Sequence, residues 1–167
     1  MRTILCEKLP RILKNKKRLE KILNIKITNN GREVSVKGDP EDEYLAEKVI
    51  DALNFGFPFS DAISIKEQDC TFEMLNIKDY TKRKDFERIR ARIIGKQGKT
   101  LKTLCELTKC CFELKDNYVG IIGKSECIKN AQDAIISIVR GSKQSNVYKS
   151  LERNQVREPV DLGLKKK

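Results

Sequence analysis

The 167-residue sequence contains no histidine and no tryptophan. Histidine is the commonest general base, so an enzyme with this sequence would have to rely on carboxylate or lysine chemistry. Its acidic residues are scattered rather than clustered, which does not suit metal-dependent cleavage of RNA. We therefore expect a protein that is not an enzyme.

The six cysteines do not form a metal-binding pattern. No two of them have the Cys-x-x-Cys spacing that is typical of zinc sites, and no histidine is available to complete a ligand set. We expect neither a metal nor a cofactor. We interpret the cysteines as small, buried side chains that stay reduced.

Long apolar runs are absent as well. No run approaches the 18 or more residues that a transmembrane helix needs, and the first ten residues have too short an apolar core for a secretory signal. The composition, 39% hydrophobic and 35% charged, is typical of a folded protein with a highly charged surface. We expect a cytoplasmic location and no membrane partner.

Positive charge is plentiful and unevenly distributed. The net charge is +11, and two stretches carry much of the excess. Lys8 to Lys21 holds seven basic residues and a single acid, Glu20, while Lys78 to Lys102 holds ten basic residues and three acids. Such clusters attract polyanions such as nucleic acids, although a solvated basic surface would have the same composition.

Residues 25–56 predict a β-hairpin followed by a helix. Apolar residues alternate on both sides of Asn30-Gly31, which favours a type I′ turn (Ile25, Ile27, Val34, Val36). Pro40 and several acids then begin an amphipathic pattern that ends at Gly56.

The same pattern of a hairpin followed by a helix occurs again 85 residues later. Phe112 to Ile121 predicts a second hairpin with its turn at residues 115–117, and a helix pattern follows it. The glycines that bracket the two helix patterns, Gly38 with Gly56 and Gly123 with Gly141, are 18 residues apart in both copies. The chain therefore contains two copies of one structural unit.

Each unit is predicted to begin with a strand, at Thr3 to Leu9 and at Cys70 to Ile77, and to continue as helix, helix, strand, strand, helix. The fold class is α+β, with each unit a three-stranded antiparallel sheet covered by three helices. Ser60 is expected to cap a short linking helix over Asp61 to Ile65. We divide the chain into a first domain at residues 1–63, a second at 64–141, a C-terminal helix at 142–158 and a basic tail at 159–167.

Two glycines interrupt the helical patterns of the second unit in the stretch RIIGKQGKTLKTL, residues 92–104. Gly95 and Gly98 allow a sharp loop, and without side chains they leave the N–H groups at the start of the next helix open to a phosphate. Lys96 and Lys99 add positive charge, and Gln97 can form hydrogen bonds. The alternative is that Gly95 only ends a helix and Gly98 only relaxes a turn.

The motif RIIGKQGKTLKTLCELT, followed by two strands and a helix, resembles the KH domain. The resemblance implies two tandem KH-type units and a groove that clamps about four nucleotides of single-stranded nucleic acid. It also implies an RNA-binding set in the second unit: Arg92, Ile94, Gly95, Lys96, Gln97, Gly98, Lys99, Leu101 and Lys102. Leu104 and residues 111–113 would line or support the side of the groove that faces the bases. The alternative for Leu101 and Leu104 is that both are ordinary core residues.

The first unit departs from the KH motif. Lys14 and Lys17 stand where the second unit has its two glycines, and their side chains would block a close approach of phosphate. Secondary electrostatic contacts with RNA are predicted there instead (Lys14, Lys16, Lys17, Arg18). The alternative is a KH-like unit that is kept for packing and protein contacts.

Four segments extend the resemblance over nearly the whole chain: NIKDY, RIIGKQGKT, GIIGKSE and VYKSLER. Together they resemble the partner-of-Nob ribosome-assembly proteins, which are related to the Krr-type factors. The resemblance implies binding near the 3′ end of the small-subunit rRNA precursor, beside the Nob-type endonuclease and other assembly or initiation factors. The compact length favours an archaeal member, and the VYKSLER helix is a candidate for partner contact, unless it packs back on the domain.

Two other functions stay open on the sequence alone. One is a generic KH RNA-binding protein, such as an exosome-type subunit or an RNA chaperone, although those typically carry an additional barrel domain. The other is a protein-interaction scaffold that has lost nucleic-acid binding.

Overall fold

Two three-stranded antiparallel sheets organise the computed structural model, which describes residues 1–155. The first half of the chain, residues 1–67, contains β1 Arg2–Leu5, α1 Leu9–Lys14, α2 Lys16–Leu23, β2 Lys26–Asn30, β3 Glu33–Lys37, α3 Pro40–Phe55 and α4 Phe59–Glu67. The second half, residues 71–155, contains β4 Thr71–Asn76, α5 Phe86–Ile94, α6 Lys99–Thr108, β5 Cys111–Lys115, β6 Tyr118–Gly123, α7 Ser125–Val139 and α8 Gln144–Arg153. Short 3-10 turns cover Ile77–Tyr80 and Lys96–Gly98. The predicted α+β class is confirmed.

The two sheets have equivalent topologies, β1-β3-β2 and β4-β6-β5. In each of them the second strand of the hairpin is central, because it pairs with both other strands. Ile27 faces Val36 in the first sheet, and Phe112 faces Ile121 in the second. These apolar pairs are buried under the helices. Each fully buried apolar side chain of this kind contributes about 1.5–3 kcal/mol to the free energy of folding.

The first hairpin turn lies one residue away from its predicted position, and the second lies within the predicted residues 115–117. Asn30 pairs with Glu33, so the two-residue loop is Gly31-Arg32 rather than Asn30-Gly31. Of these two loop residues only Gly31 has a positive φ, of 60°, which excludes the predicted type I′ turn. The second hairpin has the same form, with Asp116-Asn117 as its loop and a φ of 53° at Asp116.

Helix bounds agree with the sequence patterns where capping signals are strong. The third helix begins at Pro40, with three acids in its first turn, and ends at Phe55 before Gly56, whose φ is 132°. The sixth helix spans Lys99–Thr108 and begins directly after Gly98. Strand β1, however, ends at Leu5 instead of Leu9, because Leu9 and Pro10 already form the first turn of α1.

Two predicted boundaries are corrected at the junctions. Ser60 does not cap α4, because the helix starts at Phe59 after Pro58 and continues to Glu67. The division after residue 63 therefore falls inside α4, and the chain passes between the halves at residues 68–70. The C-terminal helix runs from Gln144 to Arg153. The tail predicted at 159–167, like residues 156–158, lies outside the described residues.

The core of the first half extends across the junction. It includes Ile122 of the central strand β6, and Phe72 packs against it. Three phenylalanine rings, Phe55, Phe57 and Phe72, meet with centroids 5.7–5.9 Å apart. The second sheet is therefore covered on one face by its own helices and on the other by the α3–α4 region of the first half.

Gly120 makes this close packing possible. A Cβ at Gly120 would lie 2.8 Å from the rings of both Phe55 and Phe57. The equivalent position of the first sheet, 85 residues earlier, is Ser35, and the equivalent of Ile122 is the exposed Lys37. The outer face of the first sheet is accordingly polar and open to solvent, which explains why the two halves pack asymmetrically.

We expect the substitution Gly120→Val to destabilise the protein by about 1–3 kcal/mol, because the added methyl groups cannot fit against the two rings. Urea unfolding measures the free energy. Ser35→Val is the matched control, at the equivalent strand position on an open face, and should change stability little. Equal effects of the two substitutions would contradict the packing described here.

Candidate nucleic-acid interface

The backbone between α5 and α6 bends sharply through residues 95–98. Gly95 has φ 77° and ψ 173°, Gln97 has φ 56°, and Gly98 has φ 76°. The Gly98 N–H donates a hydrogen bond to the Gly95 carbonyl oxygen at 3.2 Å, which closes the turn. Three of the four loop residues therefore occupy the left-handed half of conformational space, where side chains are disfavoured.

The two glycines have different roles. A Cβ at Gly95 would lie 2.1 Å from the Thr100 hydroxyl oxygen and 2.6 Å from the Thr100 backbone nitrogen, so no side chain fits there. A Cβ at Gly98 would meet no atom within 4 Å. Gly95 is thus required by the fold, whereas Gly98 leaves an open surface above the start of α6.

The start of α6 is suited to bind an anion. No side chain caps its first N–H groups, and its first turn contains no acidic residue. The positive end of the helix dipole is therefore available at this surface. Lys96, Gln97, Lys99 and Lys102, four of the predicted RNA-binding residues, are all exposed around it.

A strip of half-exposed apolar side chains continues from the loop between α6 and β5. We refer to it as the candidate groove, formed by Ile94, Leu101, Cys105 and Leu114. Ile94 is 39% exposed, and the other three pack only partly into the second core. The backbone N–H of Phe112, on the edge strand β5, faces the Cys105 thiol at its floor. Leu104 is fully buried and is plain core.

Arg92 does not belong to this surface. Its guanidinium donates hydrogen bonds to the carbonyl oxygens of Ile138, at 2.9 Å, and Ser142. These carbonyls lie at and just beyond the C-terminus of α7, where a cation is favourable. The side chain therefore links α5 to the end of α7 within the protein, and contact of Arg92 with RNA stays a prediction.

The first half has no equivalent loop. A single residue, Asn15, separates α1 from α2, and Lys17 lies inside α2. Lys14, Lys17 and Arg18 are exposed, whereas Lys16 is half-buried. The Arg18 guanidinium lies over the Phe59 ring, 4.4 Å from its centroid. The cations are thus present, but no glycine lies between them.

Glu20 further distinguishes the first half from the second. Its carboxylate accepts a hydrogen bond of 3.0 Å from the backbone N–H of Ile27, on the edge strand β2. Glu20 and Ile27 occupy the positions of Cys105 and Phe112, 85 residues earlier. In the first half an anionic side chain therefore fills the place where the second half has a small neutral thiol. From the sequence Glu20 stands out only as a lone acid, although the 85-residue offset pairs it with Cys105.

Three of the cysteines, Cys6, Cys110 and Cys127, are buried, and the other three are half-buried. All six are free. Burial raises the pKa of Cys6 to about 11 and that of Cys110 to about 12. Among residues 1–155, no group of three histidine, cysteine or acidic residues could hold a metal ion, and no helix is long and apolar enough to span a membrane.

Helix α8 contains the VYKSLER segment, and its apolar side is occupied. Val147 and Leu151 are buried in the second core, and Tyr148 packs against it. The helix therefore packs back on the domain, and its apolar side is not available as the predicted partner surface.

Comparison with protein families identifies the type of domain. Residues 71–156 match the profile of the second KH domain of PNO1, described as a eukaryotic-type KH domain (KH-domain type I). The chain is 29% identical over 147 residues to a KH domain-containing protein of Methanocaldococcus jannaschii, covering 84% of this chain and 65% of that protein.

Two eukaryotic relatives carry functional names. The RNA-binding protein pno-1 of Caenorhabditis elegans is 30% identical over 138 residues, which cover 77% of this chain and 50% of that protein. The pre-rRNA-processing protein pno1 of Emericella nidulans is 26% identical over 111 residues, which cover 64% and 43%. The matched segment thus spans less than two thirds of the curated relatives' own length.

Solved structures of archaeal proteins share the fold. Dim2p from Pyrococcus horikoshii has a TM-score of 0.84 and 27% identity, with 91% of this chain and 98% of that chain covered. A complex of a/eIF2alpha, aDim2p and rRNA from the same organism contains a chain with a TM-score of 0.82 and 27% identity, with 91% and 92% covered.

Alanine at the two glycines should separate their roles. Gly95→Ala should cost about 2–4 kcal/mol of unfolding free energy, because its backbone conformation is closed to side chains and the Cβ meets Thr100. Gly98→Ala should cost only about 1–2 kcal/mol, the strain of a left-handed residue in open space. Urea unfolding measures both, and a larger loss for Gly98→Ala would refute this assignment.

Proposed function

The chain belongs to the PNO1 family of KH-domain proteins, and from that premise we propose that it holds single-stranded small-subunit rRNA precursor near its 3′ end. In this role it positions processing factors and makes or breaks no bond itself. The observation that carries the proposal is the open loop at Gly95–Gly98, where exposed lysines surround an uncapped helix N-terminus. The phosphates of the RNA bind there, and the bases face the candidate groove.

The names of the relatives support an RNA partner. Family members are named as RNA-binding and pre-rRNA-processing proteins, and one related structure contains rRNA together with a/eIF2alpha. From that complex we infer that an initiation factor is also a partner of this protein. The Nob-type endonuclease as a second partner, the kinship with Krr-type factors and the cytoplasmic location rest on the sequence resemblance. The archaeal origin of the structural relatives agrees with the archaeal assignment.

We further propose that both halves are KH-type units and that only the second grips bases. The element order is the same in the two halves, which supports a tandem arrangement. The first half lacks the loop, and Glu20 occupies its edge strand with a negative charge that repels phosphate. Its contribution is electrostatic, through cations that touch the RNA backbone without reading sequence (Lys14, Lys16, Lys17, Arg18).

Replacing both loop residues by aspartate, Lys96→Asp with Gln97→Asp, should lower affinity for single-stranded RNA at least tenfold and leave the fold intact. Both side chains are exposed, and the change places two negative charges against the phosphates. Fluorescence anisotropy with a labelled RNA oligonucleotide measures the affinity. With about three phosphates neutralised, the wild-type logarithmic salt slope should be about −2.

The matched control is Lys66→Asp with Gln68→Asp. Both residues are exposed at the end of α4, and the double change alters the net charge equally. Binding should be nearly unaffected in this variant. Equal losses in the two double variants would show that overall charge, rather than the loop, drives binding.

The rRNA assignment is tested by crosslinking the protein to RNA in an extract of cells that express it, followed by sequencing of the attached RNA. We expect the reads to cluster at the 3′ end of the small-subunit rRNA. Reads spread over unrelated transcripts would instead support a generic KH RNA-binding protein, and a lack of crosslinks would support a protein scaffold.

A further inference from the structure

Much of the positive charge of the second half lies outside the loop and the candidate groove. The basic stretch Lys78 to Lys102 begins well before the loop, and part of it lines an open cleft of about 700 Å³ at the start of α5. We refer to this as the basic cleft, after its cations Lys84, Arg88 and Arg90, which lie beside the hairpin turn Asp116-Asn117. Phosphate binding at the loop does not account for this cluster of charge.

Arg90 connects the basic cleft to the candidate groove. It precedes Ile94 by four residues on α5, so the two side chains are neighbours on one side of the helix. The Arg90 guanidinium donates a hydrogen bond of 2.9 Å to the carbonyl oxygen of Asp116, in the turn that directly follows β5 and its groove residue Leu114. The groove, which includes Ile94 and Leu114, therefore meets the basic cleft at Arg90.

One side of α5 forms a path between the loop and the basic cleft. Phe86, Arg90 and Ile94 recur every four residues along it, next to the buried face that contains Ile89 and Ile93. Phe86 and Arg90 are half-buried, and Ile94 is 39% exposed. The path is about 12 Å long, because an α-helix rises about 1.5 Å per residue. A strand that leaves the groove can follow this side of the helix to the cleft.

The charge of the basic cleft favours an anion. The Arg83 guanidinium donates hydrogen bonds of 3.1 and 2.6 Å to Asp85, which lowers the pKa of that carboxyl and balances its charge. The three cations of the cleft then lie beside two other acids, Glu87 and Asp116, so that positive charge is in excess. Lys82, exposed in the adjoining loop, adds to this excess. Such a surface attracts a polyanion.

The cations of the basic cleft have donors left for a ligand. The side chains of Lys84 and Arg88 are exposed and form no hydrogen bond or ion pair among residues 1–155. Arg90 uses only part of its guanidinium on Asp116. Arginine binds phosphate through parallel N–H groups, and lysine binds it as a point charge. The cleft is therefore suited to the phosphates of a nucleic acid.

We propose that the basic cleft is a second backbone-binding site, in which Lys84, Arg88 and Arg90 hold phosphates of the RNA strand where it leaves the candidate groove. This inference rests on the proposed binding of single-stranded RNA at the loop. The path along α5 adds room for about three nucleotides, at about 3.4 Å per stacked nucleotide, to the four or so that a KH groove holds. The cleft lengthens the bound strand without reading its sequence, because it contacts phosphates.

The experiment uses the full chain and an RNA tetramer selected for binding from a randomised pool. Two longer RNAs carry the same tetramer with four abasic nucleotides added at either the 5′ or the 3′ end, so that the extension offers phosphates and no bases. Fluorescence anisotropy compares the wild type with the cleft variant Lys84→Gln, Arg88→Gln. The control is Lys26→Gln with Lys37→Gln, two exposed lysines that face each other on the open sheet of the first half.

One of the two extensions should strengthen binding to the wild type about fivefold, since exposed charge contacts are individually weak. The cleft variant should lose this gain and bind the tetramer almost as the wild type does, because the tetramer does not reach the cleft. The control variant, which loses the same charge, should keep the gain. Circular dichroism checks that both variants are folded.

A salt titration tests the cleft without any substitution. If three further phosphates are neutralised, the logarithmic salt slope of the wild type should be steeper by about 2 for the favourable extended RNA than for the tetramer. Equal slopes would contradict phosphate binding at the basic cleft.

The outcomes separate this inference from the proposed function. A wild type that gains from neither extension, a gain that persists in the cleft variant, or equal losses in the cleft and control variants would overturn the second site. Each of these leaves binding of the tetramer at the loop intact. Failure of the wild type to bind any tetramer or extended RNA would overturn the proposed function itself.

Discussion

The positive φ angles between α5 and α6 are the constraint on which the candidate interface depends. Gly95 and Gly98 supply two of them and Gln97 the third, so the chain turns within four residues and starts α6 without a capping side chain. The equivalent helix of the first half starts without this turn. There Asn15 alone joins α1 to α2, and no glycine lies among the surrounding lysines.

A second constraint is the packing of the two halves, which determines what covers the outer face of the second sheet. Phe55 and Phe57 fill the space above Gly120, which holds the first half on the outer face of the second sheet. This contact brings α4 of the first half against the outer face of the second sheet.

The sequence predicted most of the fold because its signals are local. Proline, acids and glycine bound α3, glycine ends α5, and the 85-residue offset reveals the duplication. The missed features depend on long-range contacts. Nothing local indicates that Arg92 reaches the carbonyls of α7, or that Ile122 faces the other half. The hairpin register was missed because Asn30-Gly31 and Gly31-Arg32 both offer a glycine, and cross-strand pairing decides between them.

The central claim is that an RNA strand contacts the bare backbone at the start of α6. Its most direct test is an NMR titration of nitrogen-15-labelled protein with a single-stranded octamer from the 3′ end of small-subunit rRNA. We predict that the amide signals of Gly98, Lys99 and Thr100 shift most, and that those of residues 14–18 in the first half shift little. The largest shifts at residues 14–18, with the α6 amides unmoved, would contradict it.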